Sequence, residues 1–214
     1  GAATAINFGQ TTQGTIDYFA KAVTYTFTAS ANDQVLITFN KLTQTSGTFS
    51  PYLELYDATG ARIAAAIFGS PNYGILSTAV ANGGNLCLIV TSQGLIGTGT
   101  YELTLQRPNN PANVSPLSFG QTTSGTINTI TDMDVYSFTG SANDVIAVRY
   151  GSRTTTPISG TISPLWITGP VLEIYDAQGS RLAGGMSDSL TYKLPSSGTF
   201  YLWVSYVFEE GRGN

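Results

Sequence analysis

The sequence predicts an all-β protein built as two tandem, jelly-roll-like antiparallel β-sandwiches. Three observations carry that prediction. Apolar and polar residues alternate with period two along short runs, turn-forming residues punctuate those runs, and the whole pattern is written twice along the 214-residue chain.

The duplication comes first. Phe8-Gly9-Gln10-Thr11-Thr12, followed by Gly14-Thr15-Ile16, returns as Phe119-Gly120-Gln121-Thr122-Thr123 followed by Gly125-Thr126-Ile127, an offset of 111 residues. Tyr25, Phe27 and Ser30-Ala31-Asn32-Asp33 return at that offset as Tyr136, Phe138 and Ser141-Ala142-Asn143-Asp144. Leu53-Glu54-Leu55-Tyr56-Asp57-Ala58 returns as Leu172-Glu173-Ile174-Tyr175-Asp176-Ala177 at an offset of 119, so the second copy gains eight residues around positions 152–169. Residues 84–90 return as 198–204 at an offset of 114, which leaves the first copy five residues longer between Ile67 and Ala81. Such insertions belong in loops. The expected organisation is a first sandwich over residues 1–107, a Pro- and Asn-rich linker over 108–116 containing Pro108, Pro111 and Pro116, and a second sandwich over 117–214.

Each copy then reads strand by strand. Val23, Tyr25 and Phe27 share one face with Thr24, Thr26 and Thr28 opposite, and residues 35–39, 53–56 and 86–90 continue as short strands. Ala31-Asn32-Asp33, Asp57-Ala58-Thr59-Gly60 and Asn82-Gly83-Gly84 supply residues that tolerate positive φ or close Asx turns between them. A sheet with one apolar face must bury it against another layer, which makes a two-sheet sandwich the expected unit and a single closed barrel the alternative. Copy one ends with an alternating strand at residues 101–106, whereas at offset 114 Asn214 aligns with Thr100. Two explanations stay open. The gene continues with an ordinary strand, or a neighbouring molecule donates one, with Ala5, Ile6 and Phe8 as the expected mobile donor.

Composition narrows the function classes. Only 10% of residues are charged and the net charge is −4. A surface of hydroxyls, amides and backbone favours close packing, so a homo-oligomer or head-to-tail filament is expected as the partner state. Nine Lys and Arg scattered along an acidic chain give no footprint for nucleic acid. No apolar run reaches the roughly 18 residues of a membrane span. The single Cys87 cannot form an intramolecular disulfide and is expected as a buried structural thiol.

The chemistry-bearing residues point away from catalysis. With no histidine in the chain, Ser-His-Asp, Cys-His and imidazole-metal chemistry are excluded. Glu54 and Glu173, like Asp57 and Asp176, are matched repeat positions at strand ends, where turn capping explains a carboxylate better than acid-base work. The chain is therefore read as no enzyme. The copy-specific loops add apolar bulk through Phe68 and Tyr73 in one and Leu165, Trp166 and Ile167 in the other. These are expected self-association contacts, the alternative being that each loop covers its own sandwich edge.

The succession Asp132-Met133-Asp134-Val135-Tyr136-Ser137-Phe138, residues 172–179 and Ser197-Gly198-Thr199-Phe200-Tyr201-Leu202 resembles the bacterial pre-peptidase C-terminal domain family, and copy one follows the same succession. The resemblance implies a jelly-roll-like sandwich related to the collagen-binding domains of clostridial collagenases. It also implies a secreted or cell-surface prokaryotic protein. Some relatives bind calcium through acidic residues near the first strands, and Asp132 and Asp134 match those positions, whereas copy one has Lys21 and Val23 there. No other cofactor is expected. The leading reading is a self-assembling filament or surface-layer subunit completed by a neighbour's strand or loop. The alternative is an accessory substrate- or surface-binding module of a larger secreted peptidase.

Overall fold

The computed structural model describes residues 2–68, 72–151 and 166–209. The chain divides into two compact units, Gly1–Arg107 and Pro108–Asn214. Both are all-β, and a 3-10 turn at Gln93–Leu95 is the only helical element among the described residues.

The first unit runs β1 (Thr4–Ala5), β2 (Gln10–Ile16), β3 (Val23–Ala29), β4 (Gln34–Ser46), β5 (Pro51–Tyr56), β6 (Arg62–Ile67), β7 (Tyr73–Ala79), β8 (Gly84–Ser92) and β9 (Thr98–Gln106). Five strands in the order β1-β3-β8-β5-β6 form one sheet and four in the order β2-β9-β4-β7 form the other. Period-two alternation turns one face of each sheet inward. The first contributes Tyr25, Phe27, Leu53, Leu55, Leu86, Leu88 and Val90 to the core. The second contributes Ile16, Val35, Ile37, Phe39, Leu76, Tyr101, Leu103 and Leu105. Phe39 stacks on Tyr101 at 5.1 Å and on Phe68 at 5.5 Å.

Strand β9 lies between β2 and β4, antiparallel to both, with Leu103 opposite Thr12 on one side and Phe39 on the other. Its Tyr101 hydroxyl shares a 3.0 Å hydrogen bond with Tyr25 of the facing sheet. This buried pair forces Gly14 to lack a side chain, since a Cβ there would sit 2.4 Å from the Tyr101 ring.

The second unit runs β10 (Val114–Pro116), β11 (Asp134–Gly140), β12 (Val145–Arg149), β13 (Trp166–Asp176), β14 (Arg181–Met186), β15 (Ser189–Lys193) and β16 (Gly198–Glu209). Its sheet β10-β11-β16-β13-β14 repeats β1-β3-β8-β5-β6 strand for strand. Even the register returns, with Ser115 opposite Tyr136 where Thr4 stands opposite Tyr25. Two boundaries differ from the sequence reading. Val114–Pro116, expected in the linker, pair with β11, and residues 166–169, expected in the inserted loop, open β13 by pairing with β16. In each case a partner strand satisfies backbone groups that a solvent-facing loop would have left to water.

The facing sheet of the second unit is β12 with β15, the counterparts of β4 and β7. No described residue takes the place of β9, and Gln121 through Ile127, the counterpart of β2, form no ladder. The core here gathers Tyr136, Phe138, Ile146, Leu172, Ile174, Phe200 and Leu202. Val148 and Tyr150 are half-buried, whereas their counterparts Ile37 and Phe39 are wholly enclosed.

The residues expected to make contacts between molecules mostly serve their own sandwich. Ala5 pairs with Thr26, Ile6 is only 3% exposed, and Phe8 meets Phe27 edge-to-face at 5.6 Å. The segment expected as a free donor is thus built into its own unit, because it supplies an edge strand and fills the core beneath it. Phe68 covers Phe39, and Tyr73 pairs with Asn40 across β4 and β7, so both residues serve their own unit. Trp166 and Ile167 belong to β13, with backbones opposite Glu209 and Phe208, and Leu165 lies outside the described residues. Cys87 is half-buried rather than in the core, because it alternates outward between the inward Leu86 and Leu88.

The two units should respond differently to truncation of matched β4 and β12 positions. Ile37→Ala is expected to cost about 3 kcal/mol and Val148→Ala about 1 kcal/mol, because only the first removes atoms from a closed core. Urea unfolding of both variants measures the difference.

Candidate functional site

The carboxylates repeated between the copies are held in structural contacts. Asp57 Oδ1 accepts from the N–H groups of Thr59 at 2.9 Å and Ala61 at 3.0 Å, and Asp176 Oδ1 accepts from Gln178 at 2.9 Å and Ser180 at 2.8 Å. The Thr59 hydroxyl and the turn amides hold Asp57 below the ordinary carboxylate range. Glu54 pairs with Arg62 at 2.6 Å and Glu173 with Arg181 at 2.5 Å, each also accepting from a tyrosine hydroxyl. The Arg62 guanidinium holds Glu54 low as well. A general acid at neutral pH needs the opposite shift.

Asp132 and Asp134 flank the start of β11. Asp132 Oδ2 accepts from the Asn128 backbone N–H at 2.8 Å and its side-chain amide at 3.2 Å, and Oδ1 from the Met133 N–H at 2.9 Å. These bonds close the turn before the strand. Burial pushes the Asp134 carboxyl up, and the Asp132 charge adds to the push. Among the described residues no three acidic or cysteine side chains converge. Calcium takes six to eight oxygens, and the described acidic residues provide only these two here.

A third acidic pair differs between the copies. Asp33 and Asp144 close matched turns, accepting from the Ser30 N–H at 2.9 Å and the Ser141 N–H at 2.8 Å, with Asn32 and Asn143 at φ 69° and 72°. Arg107, the residue after β9, reaches back to Asp33 Oδ2 at 3.0 Å and lies 4.5 Å over the Phe8 ring. Asp33 is consequently 4% exposed. In the second unit no described cation reaches Asp144, which lies at the surface, and Phe119, the counterpart of Phe8, is 63% exposed while still meeting Phe138 edge-to-face. Sequence reading placed Arg107 at the domain boundary and gave it no role. Its signal was a cation directly after an alternating strand.

One further surface escaped the sequence reading. Tyr18, Phe19, Leu95 and Ile96 are all exposed, and the Ala20 N–H donates to the Leu95 carbonyl at 3.0 Å, which ties their two loops together. Ala20 and Leu95 both adopt left-handed backbone, at φ 62° and 59°, a strained conformation for residues with a Cβ. The paired apolar residues in loops, Tyr18-Phe19 and Leu95-Ile96, were the available signal.

No family model matches the chain. Over 137 residues, covering 59% of the chain, it is 30% identical to a Deinococcus radiodurans protein named as a probable subtilase-type serine protease, and it spans 18% of that protein's length. Among solved structures it is similar to the pre-peptidase C-terminal domain of a Bacillus anthracis collagenase, at 20% identity and a TM-score of 0.41 over 49% of this chain and 95% of the other. It is also similar to tripeptidyl peptidase 2, at 11% identity and a TM-score of 0.34 over 98% of this chain and 22% of that one.

Because burial disfavours the ionised form of Asp134, that group destabilises the fold at neutral pH, and the penalty fades as the pH falls through its raised titration range toward the unfolded one. Asp134→Asn is expected to stabilise the protein at pH 7 and to have little effect near pH 3. Urea midpoints at the two pH values measure it.

Proposed function

We propose that the chain is a non-catalytic accessory part of a larger secreted peptidase. The observation that carries this reading is the alignment to a serine protease of which the chain spans 18%. A Ser-His-Asp mechanism needs an imidazole base, and this chain has no histidine. The residues of this chain that align with the relative therefore lack the imidazole such a centre needs. The turn-bound and Arg-paired carboxylates support the same reading, since each already serves a structural contact. An accessory role needs exposed contact surface, and the apolar loop tip at Tyr18, Phe19, Leu95 and Ile96 is one such surface. The alignment favours this reading over a filament subunit, which nothing in the comparisons supports.

Secretion belongs to the proposal as well. No helix among the described residues is long and apolar enough to cross a membrane.

The test is made on the chain and on its protease relative. The 214-residue chain is expected to leave casein and chromogenic peptides uncleaved. The relative without its aligned region is expected to keep kcat/KM on a short chromogenic peptide within about twofold while losing retention on an insoluble protein substrate. Cleavage by the isolated chain, or loss of short-peptide hydrolysis in the shortened relative, would overturn the assignment.

A further inference from the structure

We propose that the loop tip of the first unit, formed by Tyr18, Phe19, Leu95 and Ile96, inserts into the interface of a lipid surface that carries no net charge. The inference deepens the accessory reading by giving its exposed tip a partner, and in that respect rests on it.

Two connections build the tip. Residues 17–22 join β2 to β3 and residues 93–97 join β8 to β9, and the pairings of Ile16 with Gly99 and of Val23 with Val90 bring both to one end of the sandwich. The tip is a fixed platform. The Ala20 N–H donates to the Leu95 carbonyl at 3.0 Å, and the Gln93 N–H donates to the Ser50 carbonyl at 2.7 Å. Gly97 is buried against a neighbouring connection, since a Cβ there would lie 2.1 Å from the Thr48 carbonyl oxygen. On this platform Tyr18 is 62% exposed, Phe19 53%, Leu95 46% and Ile96 57%. Left-handed backbone at Ala20 and Leu95, with φ 62° and 59°, costs free energy, and the loops that carry it present apolar side chains to water rather than to the core.

Charge and area select the occupant. In the two connections and the neighbouring residues 43–50, the charged side chains are Asp17 and Lys21 alone, and they pair with each other at 2.8 Å. The tip therefore carries no net charge, which fits a zwitterionic headgroup layer and gives an anionic one no advantage. The Lys21 ammonium also lies 5.6 Å from the centre of the Tyr18 ring. Tyrosine and lysine settle at headgroup level with their apolar bodies turned inward, whereas Phe19, Leu95 and Ile96 have no polar side-chain atom to keep in water. Four half-exposed side chains offer a few hundred Å² of apolar area, well short of the roughly 800 Å² per partner of a stable protein interface. A lipid surface needs neither that area nor a matching shape, because acyl chains close around what is inserted. Anchoring of this size is weak and reversible, on the scale of a single acyl chain.

The probe is phosphatidylcholine vesicles, mixed with the 214-residue chain and sedimented. Saturable co-sedimentation is expected, changing by less than about twofold when part of the lipid is replaced by phosphatidylglycerol or when the salt is raised. Phe19→Ser and Ile96→Ser are each expected to weaken it about tenfold, the scale of withdrawing one large apolar side chain from the interface. Ile75→Ser, at a β7 residue that is 51% exposed away from the tip, is expected to bind as the unaltered chain does. Phe19→Trp is expected to show fluorescence quenching by acyl-brominated lipid that the unaltered chain lacks, a signal that a misfolded variant would not produce. Absence of co-sedimentation, a strict requirement for anionic lipid, or equal weakening by Ile75→Ser would overturn the proposal. So would a protein occupant, seen as tip variants that lose retention on an insoluble protein while the unaltered chain does not bind vesicles. Each of these outcomes leaves the accessory reading standing or falling on the protease assays alone.

Discussion

Strand β9 is the element on which the closed sandwich depends. It sits inside the four-stranded sheet, hydrogen-bonded on both sides, and three of its side chains, Tyr101, Leu103 and Leu105, are wholly enclosed. Each fully buried side chain of this size contributes about 1.5–3 kcal/mol, and β9 also satisfies backbone groups on both β2 and β4. In the second unit no described residue fills that place. Among the described residues the five-stranded sheet is complete, the facing sheet holds β12 and β15, and residues 121–127 form no strand. An edge strand needs a neighbour to pair with, and β2 finds it in β9.

The same strand controls electrostatics in a chain that has few charges. Arg107 follows β9 and neutralises Asp33 in a nearly buried turn while covering Phe8. The Glu–Arg pairs of β5 with β6 and of β13 with β14 return in both units because their strands do. Asp144 has the sequence neighbours of Asp33 and a matching turn, and lies at the surface with no described cation on it. Identical local sequence therefore gives identical local geometry and a different electrostatic environment.

The conspicuous acidic residues are already engaged in structural contacts. Each repeated carboxylate is the acceptor of a turn or the partner of an arginine, which lowers its proton affinity where a shift is resolved. The Asp134 carboxyl is pushed upward, first by burial, and its neighbours are Asp132, Tyr136 and Thr126. A surface that stands out chemically is the exposed apolar loop tip at Tyr18, Phe19, Leu95 and Ile96 in the first unit.

The sequence by itself determined the strand class, the repeat and the turns. Period-two alternation, Asx residues and glycines act within a few positions, so Asp57, Asp176, Asn32 and Asn143 could be read as turn residues directly. It also determined that no imidazole chemistry is available. Tertiary structure decided which residues the repeats engage: that Ala5, Ile6 and Phe8 are fixed in their own sandwich, that Val114–Pro116 form a strand, that Cys87 faces outward, and that Arg107 clamps a turn 74 residues away. These outcomes depend on pairing between segments distant in sequence. A strand's own residues specify its alternation but not whether another strand will be present to complete the sheet beside it.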